Sequence, residues 1–319
     1  MRRRYRVALA LALAFGLGAT GALAQQSQER GQRGQGQRAP RPVVVRPADQ
    51  RVPAPYDYEN MVRPVALADN VWMSELTILE MRDLVNEYGY RTALILNGTV
   101  ESNGPYLTTG KHNHVLRVTG DAIARTLGQT LVAPIVMLDS GNPDEVDTPG
   151  SIKLRPETLQ AVLRDMATSL RGQGFTEIFF LGDSGSNQNT LATVAGELAE
   201  QWKGQDVLVA HIREYYNYGD VLAYQNELLL PNYTAAKRIE EDKDLDGYHD
   251  DYYISSIIMN DSPRHVRYDE RVKVNLNHIN SVPLVLDEAL LVGKKLIQFR
   301  ADVTVDAIKQ RRAEALASR

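Results

Sequence analysis

Short, almost uninterrupted apolar runs constrain this fold more than any other feature of the sequence. Thr92–Leu96 (TALIL), Leu131–Leu138 (LVAPIVML), Ile178–Leu181 (IFFL) and Val207–Ile212 (VLVAHI) are each too short for a typical helix. They are also too apolar for a strand with one wet face, so each reads as a strand buried on both sides. Helical patterns lie between them. Val115–Leu127 carries apolar residues near helical spacing. Pro156 occupies a favoured first-turn position, and Leu159, Val162, Leu163, Met166 and Leu170 line one face before Gly172 and Gly174. Thr190–Trp202 reads as a further helix. Doubly buried strands alternating with helices predict an α/β fold, a three-layer α/β/α sandwich around a mostly parallel sheet.

Ligands of such sheets bind beyond the carboxyl ends of the strands. That rule selects the loops 97–113, 139–151 and 182–189, all rich in Gly, Asn, Asp and Ser.

The N-terminus reads differently. Arg2, Arg3, Arg4 and Arg6 precede an apolar run from Val7 to Leu23, and Ala22, Leu23 and Ala24 supply a small-x-small pattern. Residues 1–24 are therefore expected to be a cleaved signal peptide, with Sec and twin-arginine export both open. The run is short for a membrane span, which needs roughly 20 apolar residues. The chain is expected to be exported, periplasmic or extracellular, with no integral membrane segment after cleavage. Its lack of cysteine is compatible with export.

Residues 25–56 are rich in Gln, Gly, Arg and Pro and nearly free of large apolar groups, so they read as a disordered basic linker. Residues 1–56 hold ten arginines against Glu29 and Asp49, a net charge of +8. The whole chain is −4, so residues 57–319, the expected single folded domain, carry −12. That acidity argues against a nucleic-acid partner. The basic segment could touch an anionic surface or act only as a solvated tether.

Four segments carry candidate chemistry. Glu101 to Asn113 reads ESNGPYLTTGKHN; Thr148 to Ile152 reads TPGSI; Gly182 to Gln188 reads GDSGSNQ; Gly247 to Ser256 reads GYHDDYYISS. In this order they resemble the creatininase (creatinine amidohydrolase) family, whose first motif runs Glu-x-His-Gly-Pro-His-Leu-Pro-Leu-Gly-Thr-Asp. A Pro-Gly-Thr-Ile segment, Asn-Gly-His-Gly-Gly-Asn and His-Ala-Gly-x-x-Glu-Thr-Ser follow there. The resemblance spans roughly residues 92–267. It implies the sandwich fold, a small-molecule substrate, hydrolysis of a C–N bond, a divalent metal (zinc or manganese) and a homo-oligomer.

The sequence departs from that pattern at the metal site. Glu101 and His249 match. Asn103 stands where a His is expected, His112 where the bridging Asp is expected, Ser184 in place of the third motif's His, and Ile254 in place of the fourth motif's Glu. Glu101, His112, Asp183 and His249 are nevertheless residue types that hold zinc or manganese. His249 with Asp250 would then act as proton donor and orienting partner. Asn103, Tyr106, Ser184, Asn187 and Tyr252 are the expected substrate contacts. The same polar residues could instead hold the loops together around a pocket without chemistry.

Gly182-Asp183-Ser184 also allows a serine nucleophile, with His249 as base and Asp250 or Asp251 behind it. Separately, Asp242, Asp244 and Asp246 before Gly247, with Asp250 at the ninth position, have calcium-loop spacing. Tyr253 stands where the twelfth-position Glu would be, so any calcium site is incomplete. His211 reads as a core or rim residue, and His114, His265 and His278 as surface. Tyr215, Tyr216, Tyr218, Tyr252 and Tyr253 could line a pocket for a flat substrate or simply pack.

Overall fold

The computed structural model describes residues 58–229, 251–279 and 282–317. All belong to one unit, Asp57–Arg319. The signal-peptide and linker expectations lie outside the described residues.

The central sheet is built from β1 (Thr92–Asn97), β2 (Thr130–Val132), β5 (Glu177–Gly182) and β6 (Leu208–His211). Its order is β2-β1-β5-β6 and every pairing is parallel. β3 (Asp139–Ser140) and β4 (Lys153–Leu154) form a small parallel pair off this sheet, and β7 (His278–Ile279) and β8 (Val282–Pro283) an antiparallel one. The run expected as a strand over Leu131–Leu138 pairs only as far as Val132. Pro134 has no N–H to donate to a ladder, and beyond it the chain touches β1 again at a single bridge, Asn97 with Val136.

The two-residue alternation of β1 and β5 divides the core. Ala93, Ile95, Ile178 and Phe180 face one layer, against α1 (Ile78–Asn86), α3 (Pro156–Gly172) and α4 (Gln188–Gln201). Leu94, Leu96, Phe179 and Leu181 face the other, against α2 (Lys111–Leu127) and the second half of α8 (Leu286–Ala317). These strand residues are fully buried, and the leucine, isoleucine and phenylalanine side chains each contribute about 1.5–3 kcal/mol of hydrophobic stabilisation. The three-layer α/β/α sandwich follows directly. On α3 the buried stripe runs through Leu159, Leu163, Ala167 and Leu170, while Val162, expected on that face, is exposed.

Helix ends follow local chemistry. Thr77 caps α1 through a reciprocal capping box with Glu80, satisfying two backbone donors that the helix leaves open. Pro156 opens α3, as expected. A third cluster joins α5 (Tyr218–Leu229), α6 (Tyr252–Met259) and the first half of α8. At 32 residues, α8 is about 48 Å long, so one helix serves both clusters. A short helix, α7 (Tyr268–Lys273), completes the described elements. No helix among the described residues is long and apolar enough to cross a membrane.

Candidate active site

β1 and β5 end side by side, with Asn97 opposite Gly182. The loops that leave them reach one cavity of about 410 Å3. Its charged wall holds Glu101, Lys111, His112, Asp183 and Arg300, with Asp251 beside them. Tyr216, Tyr218 and Tyr253 line it as well, together with Ser184.

Two glycines let the strand ends close together. A Cβ on Gly98 would overlap the Asn113 carboxamide, and one on Gly182 would overlap the Asn187 carboxamide and Leu191. Asn113 Nδ2 donates to Thr99 O at 3.0 Å, and Asn187 Nδ2 donates to Asn97 O at 2.8 Å. The first turn of α2 is thereby pinned under the loop carrying Glu101. That loop is braced from within, because Asn103 Nδ2 donates to Glu101 O at 3.2 Å and to Thr108 O at 2.9 Å.

His112 sits between two carboxylates. Its Nδ1 is 2.8 Å from Asp183 Oδ2 and its Nε2 is 3.0 Å from Glu101 Oε1. An imidazole whose two nitrogens both face anionic oxygens donates from both, so it is an imidazolium. Burial alone would push His112 down, but its bonds to Asp183 and Glu101 outweigh that and hold it above the usual histidine range. Each carboxylate has a second cation. Lys111 Nζ is 3.1 Å from Glu101 Oε1, and Arg300 Nη2 is 2.6 Å from Asp183 Oδ1. Tyr215 OH also donates to Asp183 Oδ1, at 3.2 Å. Burial raises both acids; His112 and Lys111 for Glu101, and Arg300 and His112 for Asp183, bring them below the ordinary carboxylate range. Glu101 and Asp183 are therefore ionised near neutral pH.

Ser184 belongs to a separate set. Its Oγ lies 2.7 Å from Ser186 Oγ and 3.4 Å from Asp139 Oδ2, and Asp139 is held at 2.8 Å by Lys153 Nζ. No histidine among the described residues bonds to Ser184. His249 and Asp250, and the calcium-loop residues Asp242, Asp244 and Asp246, lie outside the described residues.

The family model for creatinine amidohydrolase matches residues 74–288, or 215 of the 319 residues. The chain belongs to the creatininase family. Solved creatininases agree in fold. A creatinine amidohydrolase is 16% identical at a TM-score of 0.53, covering 76% of this chain and 98% of its own. A mutant creatininase of the Zn-Zn type is 17% identical at 0.52, covering 78% and 99%. Another mutant, complexed with creatine, is 16% identical at 0.52, covering 75% and 98%. At such identities the likeness is one of fold, that of a family of metal-dependent amidohydrolases. No curated protein sequence matches the chain.

Creatininase membership implies a divalent ion, and the described donors of this cavity do not by themselves bring three ligand atoms together; the fourth expected ligand, His249, lies outside the described residues. Glu101, His112 and Asp183 are brought together as expected, but as a chain of ion pairs. A metal-binding histidine offers one nitrogen and is oriented through the other; here Asp183 holds Nδ1, and Nε2 faces Glu101 Oε1 at 3.0 Å. Glu101 and Asp183 lie on opposite sides of the ring, each with its own cation. Lys111 and Arg300 are the cations that stand beside these carboxylates.

Among the described residues, the donors that lie close enough to share an ion are elsewhere. His114, Asp261 and His265 fall within 4.8 Å of one another, outside the cavity lining. Asp261 Oδ2 is 2.9 Å from His114 Nδ1 and from His265 Nε2. The two rings stack with centroids 3.4 Å apart and planes 19° apart. These histidines, read from sequence as surface residues, are partly buried; His278 is exposed, as expected.

Several expected substrate contacts take other roles. Ser184 lines the cavity. Asn103 and Asn187 brace loops, with Asn187 fully buried. Tyr106 lies beneath the Arg271 guanidinium at 4.9 Å, and Tyr252 is buried in the third cluster; neither lines the cavity. Of the tyrosines, Tyr215 is core, while Tyr216, Tyr218 and Tyr253 face the cavity. Sequence reading passed over Lys111 and Arg300. A signal for Arg300 was present, because Ala289, Gly293, Leu296, Arg300, Thr304 and Ile308 repeat at helical spacing. An arginine within an otherwise apolar or small-residue stripe needs a buried anionic partner.

Proposed function

We propose that this chain is an exported member of the creatininase family that hydrolyses a C–N bond in a small polar molecule, a cyclic amide or a similar compound. The observation that carries the reading is the position of the cavity. It opens at the carboxyl ends of β1 and β5, which lie inside the family match, and fixed charges and tyrosine rings line it together. The reaction adds water across the bond. Hydroxyl goes to the carbonyl carbon, the C–N bond breaks, and the proton goes to nitrogen, so a lactam opens to one amino acid.

Proton transfer near neutral pH needs a group that titrates there. The match of His249 to the family's fourth motif gives it that role, with Asp250 to orient it. Both stand just before Asp251, a cavity residue. The charged wall would orient the carbonyl, and the tyrosines would cover the flat face of the ring. The signal-like N-terminus supports export, and the basic segment that follows would contact an anionic surface.

A second reading, a binding protein without turnover, is favoured by the fully paired charges of the wall. A panel of small lactams and linear amides, assayed for release of a primary amine, separates the two. Turnover abolished in His249→Ala is the expected result. Saturable binding with no amine released would establish the binder instead.

A further inference from the structure

We propose that His114, Asp261 and His265 form a cation site outside the cavity, which takes a zinc-type divalent ion and joins the start of α2 to the turn that follows α6. His114 Nδ1 and His265 Nε2 each lie 2.9 Å from one oxygen, Asp261 Oδ2, and the three ligand atoms all fall within 4.8 Å of one another. Two imidazoles and a carboxylate are the donor set of a zinc site that leaves its fourth position to water. The side chains are between 22% and 27% exposed, so an ion and its water can reach them. Around zinc, with bonds of about 2.0–2.1 Å in a tetrahedron, ligand atoms lie about 3.3 Å apart. Binding therefore draws each nitrogen back from the carboxylate by about 0.4 Å. It also turns the stacked rings, now 19° from parallel, until their lone pairs converge.

The backbone already holds the two segments together. Asp261 N and Ser262 N both donate to Ile258 O at 3.0 Å, which fixes the chain as it leaves the buried α6. Ser262 caps the short turn Pro263–Val266 by accepting from Arg264 N, and the turn brings His265 back beside Asp261. His265 O accepts from Thr108 N at 3.0 Å, and His114 N donates to Gly110 O at 3.2 Å, so the loop before α2 is tied to the same turn. His114 stands two residues after His112, and α6 starts just after Asp251. An ion here would thus brace, from outside, two segments that supply cavity residues. The Arg267 charge reaches His265 and opposes a cation. Binding must then come from imidazole bonds, which selects zinc, cobalt or nickel over calcium or magnesium. The hydrolase reading stands or falls separately, since none of the three side chains lines the cavity.

The test measures zinc retained by the mature chain, untagged and purified without chelators, after incubation with zinc and gel filtration. His265→Ala, Asp261→Asn and Glu101→Ala are measured alongside, the last to separate this site from any ion held in the cavity. His265→Ala and Asp261→Asn should each hold about one equivalent less than the parent, and Glu101→Ala should keep that equivalent. Zinc should also raise the thermal midpoint of the parent, and calcium or magnesium at the same concentration should not. A zinc content that His265→Ala leaves unchanged would overturn the proposal. So would a parent that retains no zinc, or loss of all the zinc in Glu101→Ala. Anomalous diffraction at the zinc edge, on crystals of the parent, needs no variant to fold. A peak between His114 and His265 is the expected result, and no peak there at saturating zinc would equally refute the site.

Discussion

Arg300 and Asp183 lie 117 residues apart in sequence and meet at 2.6 Å, both almost fully buried. Arg300 stands where α8 passes from one hydrophobic cluster to another. Leu296, one turn before it, packs with α5 and α6, and Ala301, just after it, packs against the sheet. Its guanidinium lies over the Tyr215 ring at 4.2 Å, and its Nη2 also donates to Tyr215 O at 3.2 Å. The last helix of the chain is thus tied to the carboxyl end of β5 at the floor of the cavity.

Breaking that pair should cost far more than a surface substitution. Arg300→Met leaves the Asp183 carboxylate buried with one full cation gone, and should lower unfolding free energy by about 3–5 kcal/mol in urea denaturation. Arg300→Met with Asp183→Asn removes both charges and should recover part of the loss. A single variant as stable as the parent would show that the pair is not formed in solution.

His211 should make stability depend on pH in a definite window. Burial, then the nearby Arg213 charge, pushes it down to about 4, and its Nε2 lies 3.0 Å from Gln188 Oε1. The unfolded chain takes up this proton near pH 6.5, so the folded state binds fewer protons between the two values. The stabilisation is complete above about pH 6.5 and lost as pH falls towards 4. Thermal midpoints measured across that range should fall, and His211→Gln should flatten the slope. Glu101 and Asp183, held low, lose their contribution only below the ordinary carboxylate range. An unchanged slope in His211→Gln would assign the effect to other groups.

Gly98→Ala should damage the site through packing alone. The added Cβ would overlap the Asn113 side chain, which must then leave Thr99 O or displace the start of α2. A loss of about 1–3 kcal/mol is expected by thermal denaturation. Gly172→Ala meets no atom within 4 Å and is the control, expected to leave the midpoint nearly unchanged.

What the sequence determined by itself was whatever depends on local pattern. Doubly apolar runs specified β1, β5 and β6, because a strand covered on both faces has no polar side to show. Helical spacing and Pro156 located α3, and the order of four polar segments pointed to the family later matched over residues 74–288. Glu101, His112 and Asp183 were legible as neighbours because each follows a strand of one parallel sheet, whose carboxyl ends point the same way. Only the tertiary structure decided how those residues are used. Arg300 reaches Asp183 because α8 crosses behind the sheet, a long-range packing outcome with no local signature in the loops it serves. The charge state of His112 depends on two carboxylates contributed by different loops, so it exists only once β1 and β5 are paired. Likewise, Asn187 and Tyr252 have polar groups suited to a ligand, but burial gave those groups to the backbone and the core. Composition names the groups available, and packing determines which of them are left to face a cavity.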